Sequence, residues 1–118
     1  MEYQVLITKG EFEPWWFFEE WEETIMETFT YEDKEAAFRK YQEIYRMFQK
    51  SYPEVQVKKT VLAAFWDEDE IEYCEDCEDD IQTFHGILFF ADGHVYQPDA
   101  VEKEKWFPLG NELKGEEA

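Results

Sequence analysis

Two cysteines in a Cys-x-x-Cys motif, Cys74 and Cys77, are the residues of this chain whose types and spacing could do chemistry. Zinc in proteins takes four ligands, most often thiolates and imidazoles, so this pair would supply half of a site. A helix over residues 70–84 would bring the imidazole of His85 to the same side, and a carboxylate such as Asp80 would complete the set. A zinc site made of Cys74, Cys77 and His85 is therefore one hypothesis.

The same cysteine pair has two other interpretations. A redox role needs a stabilised thiolate, whereas Glu75, Asp76 and Glu78 place negative charge around the sulfurs and disfavour that state. Alternatively, both sulfurs are small apolar groups on one face of a helix, because they recur with Ile81 and Phe84 at helical spacing. This packing role is the favoured interpretation, and zinc binding is the alternative.

The chain around the cysteines is strongly acidic. No lysine or arginine occurs between Lys59 and Lys103, and the segment 67–80 holds ten carboxylates. Glu72 stands where an EF-hand calcium loop needs glycine, so a solvated acidic surface is favoured over a calcium site. The net charge of −19 argues against direct binding of nucleic acid or of an anionic membrane, because Lys and Arg drive both. It favours encounter with a basic protein.

A second unusual segment is aromatic. The run Pro14-Trp15-Trp16-Phe17-Phe18 has acids on both sides, and a helix or helical turn is predicted over 15–27. A helix spreads neighbouring side chains about 100° apart, so these rings cannot all face one core. Rings left outside would form a patch for a basic and apolar partner, with Trp15, Trp16 and Trp21 as anchors. The alternative is that the rings seal the sheet of a small domain.

These segments are expected to belong to one α+β domain. The 118 residues fit a single domain over 1–109, with 110–118 as a flexible C-terminal tail. Hydrophobic periodicity predicts an antiparallel or mixed sheet of about four strands, one long helix packed on a face, and a short acidic helix carrying the cysteines. The strands are expected near 3–8, 57–66, 86–91 and 94–97, the long helix over 31–50 and the acidic helix over 70–84.

Local signals set the ends of these elements. Thr30 and Asp33 have the spacing of a capping box before the long helix, and Pro53 ends it by excluding helical backbone at the preceding residue. Asp92-Gly93 predicts a two-residue turn between the last two strands.

Several motifs together carry a family resemblance. They are the acidic and aromatic run 13–23, Phe65-Trp66-Asp67, Cys74-Glu75-Asp76-Cys77, Ile81-Gln82, Phe84-His85 and Asp92-Gly93. From about Tyr3 to Val95 the chain resembles a bacterial family known as domain of unknown function 1033, from low-GC Gram-positive bacteria. The resemblance implies an intracellular bacterial protein of one small domain and carries no assigned activity. Tyr73 and Gly86 stand where the family pattern has tryptophan and serine.

The function favoured by these features is a noncatalytic interaction or regulatory module that binds a basic protein, in one version as a mimic of nucleic acid. The chain has no Ser-His-Asp order and no glycine-rich phosphate loop, so no catalytic residues are assigned. A cytoplasmic location is expected, because no apolar run approaches the roughly 18 residues that span a bilayer. The residues expected to bind the partner are Trp15, Trp16, Trp21, Asp67, Glu68, Asp69, Glu70, Glu75, Asp76, Glu78 and Asp79.

Overall fold

Residues 1–75 and 79–107 are described by the structure, a computed structural model, with the backbone alone at Cys74 and Asp79. No helix among these residues is long and apolar enough to cross a membrane. The described residues form strands β1 (Tyr3–Gly10), β2 (Ile25–Tyr31), β3 (Glu54–Lys58), β4 (Leu62–Trp66), β5 (Ile71–Cys74), β6 (Asp79–Gln82), β7 (Phe84–Ala91) and β8 (His94–Val95), helices α1 (Lys34–Ser51) and α2 (Ala100–Trp106), and a 3-10 helix (Trp21–Thr24).

The long helix is confirmed as α1. Its N-cap is Asp33, whose carboxylate accepts a hydrogen bond from the backbone N–H of Glu35 at 3.2 Å. The predicted capping box with Thr30 is wrong, because Thr30 lies in β2. The helix ends before Tyr52, whose extended backbone is what a residue preceding proline prefers.

The main sheet is antiparallel and has more strands than predicted. Its order is β2-β1-β7-β4-β3, and β8 pairs with β7. One strand was expected over 57–66, but the chain turns at Lys59 and Thr60, whose φ angles are 53° and 70°, and returns as β4. The turn between β7 and β8 is at Asp92-Gly93 as predicted, with φ angles of 51° and 82°. The strand expected over 94–97 extends only to Val95.

The acidic helix predicted over 70–84 is wrong. Residues 71–74 and 79–82 pair as an antiparallel hairpin, and β7 begins at Phe84. The helical spacing of Cys74, Cys77, Ile81 and Phe84 competed with a strand signal, the alternation of acid and apolar residues from 70 to 73. The strand signal decides the structure, because the hairpin pairs the backbone of both segments while leaving the carboxylates in water.

The helix predicted over 15–27 is also wrong. Only Trp21–Thr24 forms a short 3-10 helix, and β2 begins directly after it at Ile25. Bulky rings lose side-chain freedom in a helix, and here they gain more by lying across the sheet in an irregular segment.

One face of the sheet packs against α1. Phe38 and Tyr41 on the helix contact Phe89 of β7 with ring centroids 5.1 Å and 6.1 Å apart, and Tyr45 contacts Phe65 of β4 at 5.0 Å. These five side chains are all at most 2% exposed. The apolar stripe predicted for the long helix is therefore the main core contact.

The aromatic segment 11–24 covers the opposite face. Strand side chains alternate between faces, so Gly86 and Phe90 of β7 point away from α1. Phe90 contacts Trp21 at 5.8 Å between ring centroids. Pro14 is buried directly over Gly86, where a Cβ would lie 2.7 Å from its ring carbons. The sheet is thus enclosed between a helix and an irregular aromatic layer.

Helix α2 is attached to α1 by an ion pair. Lys34 Nζ lies 2.7 Å from Glu102 Oε2, and Tyr96 Oη donates a hydrogen bond to Glu102 Oε1 at 2.7 Å. The hydrogen bond to Glu102 raises the pKa of Lys34 above its ordinary value. Burial acts to raise the pKa of Glu102, but the hydrogen bonds from Lys34 and Tyr96 outweigh it and the pKa is lowered.

We expect Glu102→Gln to lower the free energy of unfolding by about 1 kcal/mol at neutral pH, limited by solvent screening because the Lys34 side chain is 39% exposed. The contribution of Glu102 is present above its ordinary pKa of 4.5 and is lost as pH falls through its lowered folded pKa. The stabilising contribution of Lys34 is present below its ordinary pKa of 10.5 and is lost as pH rises through its raised folded pKa. The free energies of unfolding of wild type and Glu102→Gln, both measured with urea, should therefore approach each other as pH falls below 4.5. A difference that stays constant down to the acid limit would contradict this assignment.

Candidate interaction site

Residues 67–75 and 79–83, named here the acidic arm, lie outside the main sheet. Strands β5 and β6 pair with each other as a two-stranded sheet. The Ile71 and Tyr73 side chains are 46% and 61% exposed although both are large and apolar or aromatic.

The side-chain amide of Gln82 fixes the root of the acidic arm. Its Nε2 group lies 2.8 Å, 3.1 Å and 3.1 Å from the backbone oxygens of Asp67, Glu70 and Thr83. The Thr83 N–H donates to the Glu70 carbonyl at 3.2 Å, which closes the base of the hairpin. These bonds join the two ends of the arm where it leaves β4 and enters β7.

A buried histidine connects this root to the core. His85 Nε2 lies 2.8 Å from Glu70 Oε1, and the imidazole stacks on the ring of Tyr52 with centroids 4.3 Å apart. Phe48 of α1 contacts the same imidazole edge-on at 6.3 Å. His85 thus holds Glu70, the residue directly before β5, near the end of α1.

Three glutamates of the arm have no basic partner within the described residues. Glu68, Glu72 and Glu75 are exposed. Asp67 uses its side chain to accept from the Asp69 N–H at 2.9 Å, which shapes the turn into the arm. The described ion pairs are Lys34–Glu102, Arg39–Glu35, Lys40–Glu43 and His85–Glu70. None of these pairs includes Glu68, Glu72 or Glu75, so the negative potential of these three carboxylates extends into the solvent.

Four rings of the aromatic segment form an exposed surface, named here the aromatic patch: Phe12, Trp16, Phe17 and Phe18. Their exposed fractions are 57%, 55%, 39% and 43%. Trp16 Nε1 donates to Glu13 Oε1 at 3.1 Å, and Phe12 contacts Phe18 edge-on at 5.5 Å. The rings are therefore held in place although solvent reaches them.

The two other tryptophans of this segment face inward. Trp15 and Trp21 are half-buried against the core, Trp21 between Phe17 and Phe90. The Trp15 ring also receives Lys58 Nζ at 5.5 Å from its centroid. Of the tryptophans expected to bind a partner, Trp16 is thus the exposed one. Some rings of the segment cover the sheet and others form a surface, so each of the two interpretations holds for part of the segment.

Phe12, Trp16 and Phe18 of the aromatic patch lie at the end of the sheet where the acidic arm begins, whereas Phe17 lies further along against Phe90. Gly10, the last residue of β1, pairs with Phe84, the first residue of β7, so segment 11–24 leaves the sheet where the arm enters it. Phe12, Trp16 and Phe18 surround a shallow depression that Thr8 and Gly10 also line. One partner could therefore contact both surfaces at once.

The zinc hypothesis loses the helix on which it relied. Cys74 ends β5, Cys77 lies outside the described residues, and His85 Nε2 is engaged by Glu70. Across residues 1–75 and 79–107 no three His, Cys, Asp or Glu side chains lie together as a metal ion requires. Of the acids expected to bind a partner, Asp76 and Glu78 also lie outside the described residues.

A family model described as Protein of unknown function (DUF1033) matches residues 2–113. The chain belongs to this family. No curated protein and no solved structure matches it. The family resemblance predicted from the sequence motifs is confirmed.

Two of the DUF1033 motifs lie at the candidate site. The aromatic motif forms the second layer of the core and the aromatic patch, and the Phe84-His85 motif lies at the root of the acidic arm. Sequence reasoning missed Phe12, Phe17 and Phe18 as surface residues, although Phe12 stands between two glutamates. It also missed Gln82, whose position inside an apolar and acidic stretch gave no sign of three backbone partners.

Proposed function

We propose that this protein is a noncatalytic interaction module that binds a basic protein through the acidic arm and the aromatic patch. The observation that carries the proposal is the exposed row of Glu68, Glu72 and Glu75 on the acidic arm, which have no lysine or arginine partner among the described residues. A surface of one charge sign accelerates encounter with an oppositely charged partner and excludes partners of its own sign.

The aromatic patch supplies the second part of the proposed interface. Exposed tryptophan and phenylalanine rings bury large apolar areas on binding, and arginine side chains also stack on such rings. Because the patch lies beside the arm, a partner with lysines or arginines next to apolar groups fits both. A protein that binds nucleic acid in a cationic groove has this chemistry, and the module would then occupy that groove.

The test uses two variants that change the net charge equally. Glu68→Gln/Glu72→Gln/Glu75→Gln neutralises exposed acids of the arm, and Glu27→Gln/Glu32→Gln/Glu104→Gln neutralises exposed acids elsewhere. Immobilised wild-type protein is expected to retain a basic protein from a lysate of the source organism. The purified partner should bind the arm variant about tenfold more weakly, from three charge pairs of roughly 0.5 kcal/mol each.

The control variant should bind this partner within about twofold of wild type. Equal weakening by both triple variants would mean that only the overall charge matters and would contradict a specific role of the arm. Retention of no basic protein by the wild type would also contradict the proposal.

A further inference from the structure

A cleft of about 350 Å³ lies at the end of the sheet opposite the acidic arm. The turn between β3 and β4 forms one wall with Lys59 and Thr60, and the chain between β8 and α2 forms another with Gln97 and Pro98. Lys103 of α2 also lines it. Because β4 runs from this turn to the arm, the basic cleft and the acidic arm are at opposite ends of one strand.

The two lysines of the cleft are unpaired. Other cations of this region have partners: Lys34 pairs with Glu102, and Lys58 and Lys105 lie over the rings of Trp15 and Trp106. Lys59 and Lys103 have neither a carboxylate nor a ring partner in the described part of the chain.

The carboxylates beside the cleft are already engaged. Asp99 caps α2 by accepting from the Glu102 N–H at 2.8 Å, and Glu102 accepts from Lys34 and Tyr96. These contacts turn both acids toward groups of the protein. Of these two acids, Glu102 is balanced by Lys34, which leaves Lys59 and Lys103 facing the charge of Asp99 alone among the acids named here.

The backbone that presents Lys59 and Thr60 is strained. Both residues have positive φ, a conformation that tight hairpins normally give to asparagine and glycine and that is unfavourable for a β-branched threonine. Strain of this kind persists mostly where the strained side chains serve a site. Here both side chains line the cleft.

We propose that this cleft binds a small organic phosphate. The ammonium groups of Lys59 and Lys103 contact the phosphate dianion, since lysine binds phosphate as a point charge. The Thr60 hydroxyl and the Gln97 amide donate hydrogen bonds, and the organic part lies against Val95 and Pro98. The volume of the cleft is within the range of small-molecule sites. It is larger than a phosphate group alone needs, so an organic group also fits. The cleft is separate from the acidic arm and the aromatic patch, so either proposal can fail alone.

The test is a titration of the full chain with phenyl phosphate, followed by backbone amide chemical shifts. Saturable shifts are expected at Lys59, Thr60, Val95 and Gln97, and phenol, which has the ring without the charge, should not produce them. Absence of these shifts with phenyl phosphate would overturn the proposal.

Two variants of equal charge separate the cleft from general electrostatics. Lys59→Gln/Lys103→Gln should weaken phenyl phosphate binding at least about tenfold, since charge-assisted hydrogen bonds are lost. Arg46→Gln/Lys50→Gln removes two exposed, unpaired cations of α1 and should leave affinity within about twofold. Equal weakening by both pairs would overturn the assignment.

Thr60→Gly provides an independent readout, because it removes the backbone strain and the hydroxyl together. The variant is expected to resist urea better than wild type while binding phenyl phosphate about threefold more weakly. Stabilisation with unchanged affinity would exclude Thr60 from the site.

Discussion

Gly86→Ala is expected to lower the free energy of unfolding by roughly 2 kcal/mol, the usual size of an overpacking penalty in a filled core. Its Cβ would overlap Thr8 Oγ1 and lie 2.7 Å from ring carbons of Pro14. Neither neighbour can withdraw easily, because Thr8 lies in the adjacent strand and Pro14 is buried beneath the aromatic segment. Urea unfolding measured with an unchanged slope would give the value directly.

Two comparisons make this result specific to the aromatic layer. At Gly10 a Cβ would approach only Thr24 Cγ2, at 3.1 Å, so Gly10→Ala should cost less than about 1 kcal/mol. In a Thr8→Ala background Gly86→Ala should cost about 1 kcal/mol less than in wild type, because the closest atom is gone. Full stability of Gly86→Ala would show that Pro14 does not pack on the sheet as described.

Trp16→Ala/Phe18→Ala should weaken binding of the basic partner by about thirtyfold, mainly through faster dissociation. Aromatic anchors at interfaces contribute about 2 kcal/mol or more when truncated, which corresponds to this factor. Surface plasmon resonance with the partner captured by the wild type would resolve the two rate constants. The association rate should change little, because no charge is removed.

A matched variant controls for loss of exposed apolar area. Met26 and Met47 are 63% and 55% exposed and lie outside the aromatic patch. Met26→Ala/Met47→Ala should therefore leave the dissociation rate within about twofold of wild type. Equal dissociation rates for the patch variant and wild type would remove the aromatic patch from the interface and leave the acidic arm alone.

The parts of the fold that the sequence predicted are those where one signal dominated. The stripe of Phe38, Tyr41 and Tyr45 keeps one helical period over two turns, and α1 follows it. Alternation of side-chain type along residues 3–8 predicted β1. Asp92-Gly93 predicted the turn after β7, because these residues readily take positive φ. The break at Lys59-Thr60 had no such signal, since these residues disfavour the conformation they adopt.

The candidate site was predicted in composition and not in geometry. The acidic segment was recognised from its charge. The helical spacing of Cys74, Cys77, Ile81 and Phe84 predicted a helix there, whereas the structure has two short paired strands with Gln82 bonded at their root. The aromatic run was recognised from its rings, but which ones are exposed depends on Pro14 packing over Gly86, a contact between distant residues. Contacts of that kind are properties of the assembled sheet and cannot be read from local periodicity.

The most direct test of the central claim is the association rate constant of the captured basic partner at low and high salt. If the exposed Glu68, Glu72 and Glu75 of the acidic arm guide the encounter, the rate should fall at least about tenfold between 50 mM and 500 mM sodium chloride. The fall should be clearly smaller for Glu68→Gln/Glu72→Gln/Glu75→Gln and unchanged for Glu27→Gln/Glu32→Gln/Glu104→Gln. An association rate that does not respond to salt would contradict the account.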